Sequence, residues 1–184
     1  MSPALPVPEL SLVMLVGASG SGKSTFAAKH FRPTEVLSSD RCRGMVSDDE
    51  TDQSATKDAF DVLHFIAARR LAAGRLTVVD ATNVQPEWRK PLVALAREYH
   101  CVPVAIVLNL PEGICYQRNQ GRADHAIGPQ TVQRQAHQLR RSLGGLRHEG
   151  FTQVFVLSSP DEVEAATIER QRMFASGSPH SSTA

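Results

Sequence analysis

The residues best equipped for chemistry stand early in the chain. Gly17-Ala-Ser-Gly-Ser-Gly-Lys-Ser24 has the G-x-x-x-x-G-K-[ST] spacing of a phosphate-binding loop. Glycines there let the backbone curl so that successive N–H groups face an anion, and a helix starting near Lys23 adds the positive end of its dipole. On this reading Gly17, Ser19, Gly20, Ser21 and Gly22 wrap the phosphates of ATP, and Lys23 reaches the β- and γ-phosphates. The Ser24 hydroxyl is the expected protein ligand of Mg²⁺, and Thr25 holds the α-phosphate. Such a loop identifies the nucleotide and leaves the acceptor open.

The acceptor must be read from charges elsewhere. Asp40 closes the run Val36-Leu-Ser-Ser-Asp40, and Asp80 closes Leu76-Thr-Val-Val-Asp80. Ligands of an open parallel sheet gather beyond the carboxyl ends of its strands, which makes both carboxylates candidates. An attacking hydroxyl loses its proton as it bonds to phosphorus, and Asp40 is the candidate base. Asp80, followed by Ala81-Thr82-Asn83, fits a position that organises Mg²⁺ waters or the phosphate loop. Arg41, Arg43 and Gly44 are expected to place cations and a flexible turn at the acceptor pocket, with Arg43 as the catalytic candidate. Asp48-Asp49-Glu50 is expected to be solvated charge in the first turn of the next helix.

Between residues 118 and 148 six arginines stand against the single acid Asp124. Arg118 and Arg122 are four apart, so a helix running on from Pro111 would carry both on one face. Followed by the segment Gly121 to Pro129, they suit a lid that closes over the triphosphate and stabilises the charge on the transferring phosphoryl oxygens. Arg134, Arg140, Arg141 and Arg147 fit either an exposed helix face or a track for the phosphates of a longer acceptor.

The elements that must position these groups alternate along the chain. Strands are expected at Leu12–Val16, Glu35–Leu37, Leu76–Val79, Val102–Leu108 and Gln153–Leu157, all rich in aliphatic or β-branched residues. Helices are expected after Pro86, Pro111, Pro129 and Pro160, where proline occupies a first turn. Helical spacing of Phe60, Leu63, His64, Ala67 and Leu71 marks another within Thr51–Ala73, stopped by Gly74. His64 reads there as a packed helix residue. The pattern predicts an α/β fold: a parallel sheet of about five strands flanked by helices, with a helical arginine-bearing lid.

With 184 residues, 41% of them apolar, the chain suits one domain over residues 1–174 and a polar, disordered tail or linker over 175–184. The net charge of +1 argues for no bulk attraction to nucleic acid, so any such site must come from charge placement. Cys42, Cys101 and Cys115 form no C-x-x-C pair and read as reduced thiols. No apolar run approaches the roughly 20 residues of a membrane span, and a cytoplasmic protein is expected.

Together these motifs resemble the N-terminal kinase module of bacterial polynucleotide 5′-kinase/3′-phosphatase, an RNA end-healing and repair enzyme of the P-loop phosphotransferase superfamily. The resemblance runs from Pro8 through the phosphate loop, Pro33 to Gly44, Val46 to Glu50, Lys57 to Leu63, Leu76 to Asn83, and Asn109 to Phe151. Ser38-Ser-Asp40 with Arg43-Gly44 is its narrowest part. It implies a P-loop NTPase fold and ATP-dependent, Mg²⁺-assisted transfer of the γ-phosphate to the 5′-OH end of RNA or DNA. It also implies Asp40 as general base, Arg43 at the acceptor, and Arg118 and Arg122 on the donor phosphates. His125 departs from it, standing where a lid arginine is expected. Phosphatase and nucleotidyltransferase modules follow the kinase in that family, so the chain is expected to be part of a larger enzyme. A small-metabolite kinase and a nucleotide-binding switch or ATPase are the alternatives, and the absence of an N-K-x-D run counts against a GTPase.

Overall fold

The computed structural model describes residues 4–121 and 127–172. In chain order these form β1 (Ala4–Pro8), β2 (Ser11–Val16), α1 (Lys23–His30), β3 (Val36–Ser38), α2 (Ser39–Ser47), α3 (Thr56–Ala72), β4 (Thr77–Asp80), α4 (Pro86–Glu98), β5 (Val102–Leu108), α5 (Glu112–Gln120), α6 (Pro129–Leu143), α7 (Leu146–Glu149), β6 (Gln153–Leu157), α8 (Pro160–Ala165) and β7 (Thr167–Gln171). Single 3₁₀ turns at Pro33–Glu35 and Gln53–Ala55 lead into β3 and α3.

The five strands expected from the aliphatic runs form one parallel sheet of order β3-β4-β2-β5-β6. β2 lies at its centre, buried along its whole length. Because side chains alternate along a strand, β2 feeds two cores. Leu12, Met14 and Val16 pack with Leu63, Leu71 and Leu92 of α3 and α4, while Val13 and Leu15 pack with Phe26 and Phe31 at α1. Each fully buried leucine contributes about 1.5–3 kcal/mol of burial free energy. α3 stops as expected, with Gly74 at φ +65°. Burial pushes the thiols of Cys42, Cys101 and Cys115 above their ordinary pKa, in keeping with inert core cysteines.

A second, two-stranded parallel sheet pairs β1 with β7. Nothing in the aliphatic pattern foretells it, since β1 carries Pro6 and Pro8 and β7 reads Thr-Ile-Glu-Arg-Gln. Prolines fit because this ribbon stands outside the main sheet and needs few ladder donors. Leu5 and Val7 anchor it in the α1-side core, and Arg170 of β7 donates two hydrogen bonds, at 2.7 and 2.6 Å, to the Glu35 carboxylate.

Two local expectations are corrected. Asp40 to Gly44 is no flexible turn but the body of α2, begun one residue earlier because the Ser38 hydroxyl accepts the Arg41 N–H. Asp48-Asp49-Glu50 does not open the next helix. Asp48 ends α2 in the left-handed region at φ +59°, and the Asp49 carboxylate accepts the Thr51 N–H and hydroxyl to close a turn. Among the described residues no helix is long and apolar enough to cross a membrane. Residues 175–184, expected as a tail, lie outside the described residues.

Candidate phosphoryl-transfer site

The phosphate loop joins β2 to α1, and its glycines are required by space as well as by φ. Gly20 and Gly22 have φ of +82° and +97°. A Cβ on Gly20 would fall 1.9 Å from the Cys115 carbonyl oxygen, and one on Gly17 would fall 2.9 Å from that of Leu108. Lys23 is buried at the head of α1, and its Nζ donates to the carbonyls of Gly17 and Ala18 at 2.9 Å each. Ser24 and Thr25 follow on the exposed side of the first turn.

A cleft of about 1100 Å³ runs across this loop and takes in Asp40, Arg43, Asp80 and Arg118. Parallel strands make this convergence unavoidable, because β2, β3 and β4 all deliver their carboxyl ends to the same edge. Asp80, the last residue of β4, is buried opposite Leu15 and Ser38. Asp40 stands in the first turn of α2 with its side chain 48% exposed, while that of Arg43 is 8% exposed. Arg43 Nη1 donates to Asp40 Oδ1 at 2.7 Å and to the Glu50 carbonyl at 2.9 Å. Its Nε is buried with no partner among the described residues.

The loop is stitched to its neighbours from below. Gly17 N–H donates to Thr82 O, and Asn83, at φ +49°, donates from Nδ2 to Leu15 O. Arg89 of α4, fully buried, donates to Asn83 O and makes a two-pronged pair with Glu149 of α7 at 2.7 and 2.5 Å. Losing one partner of such a buried pair typically costs about 3–5 kcal/mol, so this contact fixes the segment after Asp80 firmly.

Arg118 lies on α5, and its Nη1 would be 3.6 Å from a Cβ on Gly22, so the guanidinium stands over the loop. α5 ends at Gln120. Arg122 and His125 lie outside the described residues. Arg134, Arg140, Arg141 and Arg147 are exposed, Arg140 pairing with Glu112 at 3.3 Å.

Two features of the cleft escape a reading of the sequence. Gln135 of α6 accepts the Ser19 N–H at 2.8 Å, so a side chain from the helix that follows α5 sits on a phosphate-loop donor. Nothing in Val132-Gln-Arg-Gln135 distinguishes it from a solvated helix residue. Phe60 and Trp88, from α3 and α4, line the same cleft with ring centroids 4.9 Å apart. Phe60 reads as a core position by its helical spacing, and nothing in the sequence marks Trp88 as facing a site. Among the described residues no cluster of three His, Cys, Asp or Glu side chains is arranged to hold a metal. Ser24, exposed in the first turn of α1, and Asp80, buried along the cleft, offer a hydroxyl and a carboxylate, oxygen donors of the kind Mg²⁺ takes.

A family described as AAA domain matches residues 12–146. Transcription factor bHLH140 of Arabidopsis thaliana is 28% identical over 164 residues, covering 84% of this chain and 17% of that protein. Among solved structures, a chain of the Pnkp1/Rnl/Hen1 RNA repair complex superimposes with a TM-score of 0.64 and 24% identity, over 77% of this chain and 47% of that one. A gluconokinase from Sinorhizobium meliloti 1021 superimposes with a TM-score of 0.53 and 18% identity, over 86% of this chain and 90% of that one. The chain thus spans under a fifth of the curated relative and about half of the repair-complex chain. The family match takes in the phosphate loop, both strand-end aspartates and the helix bearing Arg118 in one span, and on that ground the chain belongs to the AAA domain family, as a P-loop protein with the kinase fold.

Proposed function

We propose that the chain is an ATP-dependent polynucleotide 5′-hydroxyl kinase that phosphorylates the 5′-OH ends of RNA or DNA in nucleic-acid repair. The observation that carries this reading is the Asp40–Arg43 pair beside the phosphate loop: a half-exposed carboxylate held at 2.7 Å by a buried, fixed cation. A terminal nucleotide of a strand presents a hydroxyl and, one sugar away, a phosphodiester. A base next to a guanidinium matches those two groups, a proton to accept and an anion one sugar away to hold.

In this reading the 5′ oxygen attacks the γ-phosphorus of ATP as the bond to the β,γ-bridging oxygen breaks, and Asp40 takes the proton of the 5′-OH while ADP leaves. Lys23 is the fixed cation for the β- and γ-phosphates, the loop N–H groups from Gly17 to Gly22 hold the phosphate oxygens, and Thr25 holds the α-phosphate. Arg118, joined by Arg122, answers the charge spread over the transferring oxygens. Mg²⁺, held by Ser24, supplies further neutralisation of the phosphates. Asp80, buried along the cleft, would organise the Mg²⁺ waters or the phosphate loop. The larger size of the repair-complex chain supports the further reading that this kinase works alongside phosphatase and nucleotidyltransferase modules.

The test is transfer of label from γ-labelled ATP to a short 5′-OH oligonucleotide, with gluconate as a second acceptor. Labelled oligonucleotide is the expected product. Label on gluconate alone would assign the chain to small-metabolite kinases, and release of free phosphate alone would make it a switch or ATPase.

A further inference from the structure

We propose that Phe60 and Trp88 form a stacking platform for the nucleobase of the acceptor's 5′-terminal nucleotide. The proposal rests on the polynucleotide reading above and adds to it a subsite that selects an acceptor bearing a base. The chain has one tryptophan, and it is 41% exposed although α4 has a well-filled core face in Arg89, Leu92, Val93 and Ala96. An exposed tryptophan in the first turn of a helix gives up burial that the fold could have used. Its indole N–H is occupied, donating to the Gln85 side chain at 3.2 Å, so the ring is steadied by its edge. Phe60 meets it at a 31° tilt, and His64 backs Phe60 edge-on at 6.4 Å.

The placement relative to the chemistry is what points to a base. Phe60 and Trp88 share one cleft with Asp40 and Arg43. Beyond them a groove of about 480 Å³, bounded by His64 and Pro91, continues from the cleft and shares Gln53, Thr56, Phe60 and Trp88 with it. A nucleotide whose 5′-OH meets Asp40 and whose 3′ phosphate meets Arg43 must direct its base away from the triphosphate, and this aromatic wall lies on the acceptor side. A flat ring with a π-face fits there irrespective of its edge pattern, so the subsite should tolerate every base and favour purines. Gln53, on the rim of both spaces, offers donor and acceptor to whichever edge arrives.

The test compares two oligonucleotides that differ only at the 5′-terminal nucleotide, adenine in one and abasic in the other, with wild type, Trp88→Ala, Trp88→Phe and Phe60→Leu. Stacking on a protein aromatic changes affinity by roughly five- to 150-fold, with ten-fold in the lower part of that range. Wild type should therefore show a KM about ten-fold higher for the abasic strand. That ratio should fall to near one in Trp88→Ala, shrink in Phe60→Leu, and largely survive in Trp88→Phe, which keeps a ring. Reading a ratio within each variant separates stacking from general damage to the cleft. A ratio near one in wild type, or a ten-fold ratio persisting in Trp88→Ala, overturns the platform while leaving the polynucleotide reading in place. Absence of transfer to either strand overturns that reading and the platform with it.

Discussion

Replacing Asp40 with asparagine keeps the shape of the side chain and removes one charge and one proton acceptor, and the structure separates what this should do to folding from what it should do to catalysis. The Asp40 side chain is 48% exposed, and its ion pair with Arg43 has one leg in solvent. With one end buried, the pair lies between an exposed pair, worth about 0.2–1 kcal/mol, and a fully buried one, worth about 3–5 kcal/mol to break, and asparagine retains an oxygen that can still accept from Arg43 Nη1. The stability cost should therefore be about 1–2 kcal/mol in urea unfolding. A positioned general base contributes about 10²- to 10⁴-fold, which at 1.36 kcal/mol per decade is about 3–5 kcal/mol of barrier. The expected outcome is a loss of at least 10² in kcat for oligonucleotide phosphorylation under single-turnover conditions, with ATP affinity by calorimetry nearly unchanged. A rival reading makes Asp40 only the holder of Arg43. In an Arg43→Gln background that reading predicts no further loss on adding Asp40→Asn, whereas a base acting on the hydroxyl should still cost at least ten-fold. A single variant within a few-fold of wild type, or a fully absorbed effect in the double variant, would refute the assignment.

Other outcomes follow from the same geometry. Lys23→Ala should lower phosphoryl transfer by about 10²- to 10³-fold, the usual effect of removing a preorganised electrostatic contact, and measured activity near wild type would remove the phosphate loop from the mechanism. Gln135→Ala should tighten ATP binding by up to about ten-fold, because the Ser19 N–H no longer has to give up a hydrogen bond worth about 0.5–1.5 kcal/mol. Weaker binding by calorimetry would instead make Gln135 a ligand of the nucleotide. Burial alone would raise the Glu35 carboxyl, but the bonds from Arg170, the Arg32 N–H and both positive charges outweigh it and hold the pKa below its ordinary value. Its contribution is thus complete above the unfolded carboxylate pKa and is lost as pH falls through the lowered folded value. Glu35→Gln should cost about 1–3 kcal/mol near neutrality and flatten that acid limb in urea titrations, and an unchanged acid limb would show that the β7 contact carries no linkage.

What could be read from the chain is what is local. The phosphate loop is legible because its glycines answer demands made within a few residues: φ +82° at Gly20, φ +97° at Gly22, and at Gly17 a Cβ that would fall 2.6 Å from the Ser21 hydroxyl oxygen. The five sheet strands are legible because their aliphatic runs stand out, β2, β4 and β5 being buried on both faces while the edge strands β3 and β6 are only partly covered. Asp40 is legible as a candidate, yet its setting is not, since a serine cap decides that α2 starts at Ser39 and turns an expected loop into a helix that carries Arg43 one turn on. β1 and β7 are hidden because their pairing spans the whole chain, from Ala4 with Thr167 to Pro8 with Gln171, and neither has the composition of a strand. Gln135 is hidden for the same reason, its partner Ser19 being 116 residues away.

The non-local part of the site also explains how a shallow sheet edge can hold reacting groups in fixed relation. Asp40, Asp80 and Lys23 arrive on three different strands or their following helices, and the strand order alone sets them side by side only to within several ångströms. Catalysis by positioning needs about 1 Å or better, so something must lock the connections. The Gly17–Thr82 and Asn83–Leu15 hydrogen bonds tie the β2 and β4 connections to each other, and Arg89 clamps Asn83 from beneath with Glu149 as its counter-charge. Asn83 holds a left-handed φ of +49° within this clamp, a conformation that persists because two hydrogen bonds converge on it and a third holds its neighbour Thr82. On the acceptor side the same task falls to Arg43, whose single Nη1 fastens both Asp40 and the Glu50 carbonyl, so the α2–α3 connection cannot drift without moving the carboxylate. On the proposed kinase reading, the donor half would be locked by the buried Arg89–Glu149 pair, while the acceptor half would be locked by Arg43, so that the two halves would respond separately to ATP and to the incoming hydroxyl.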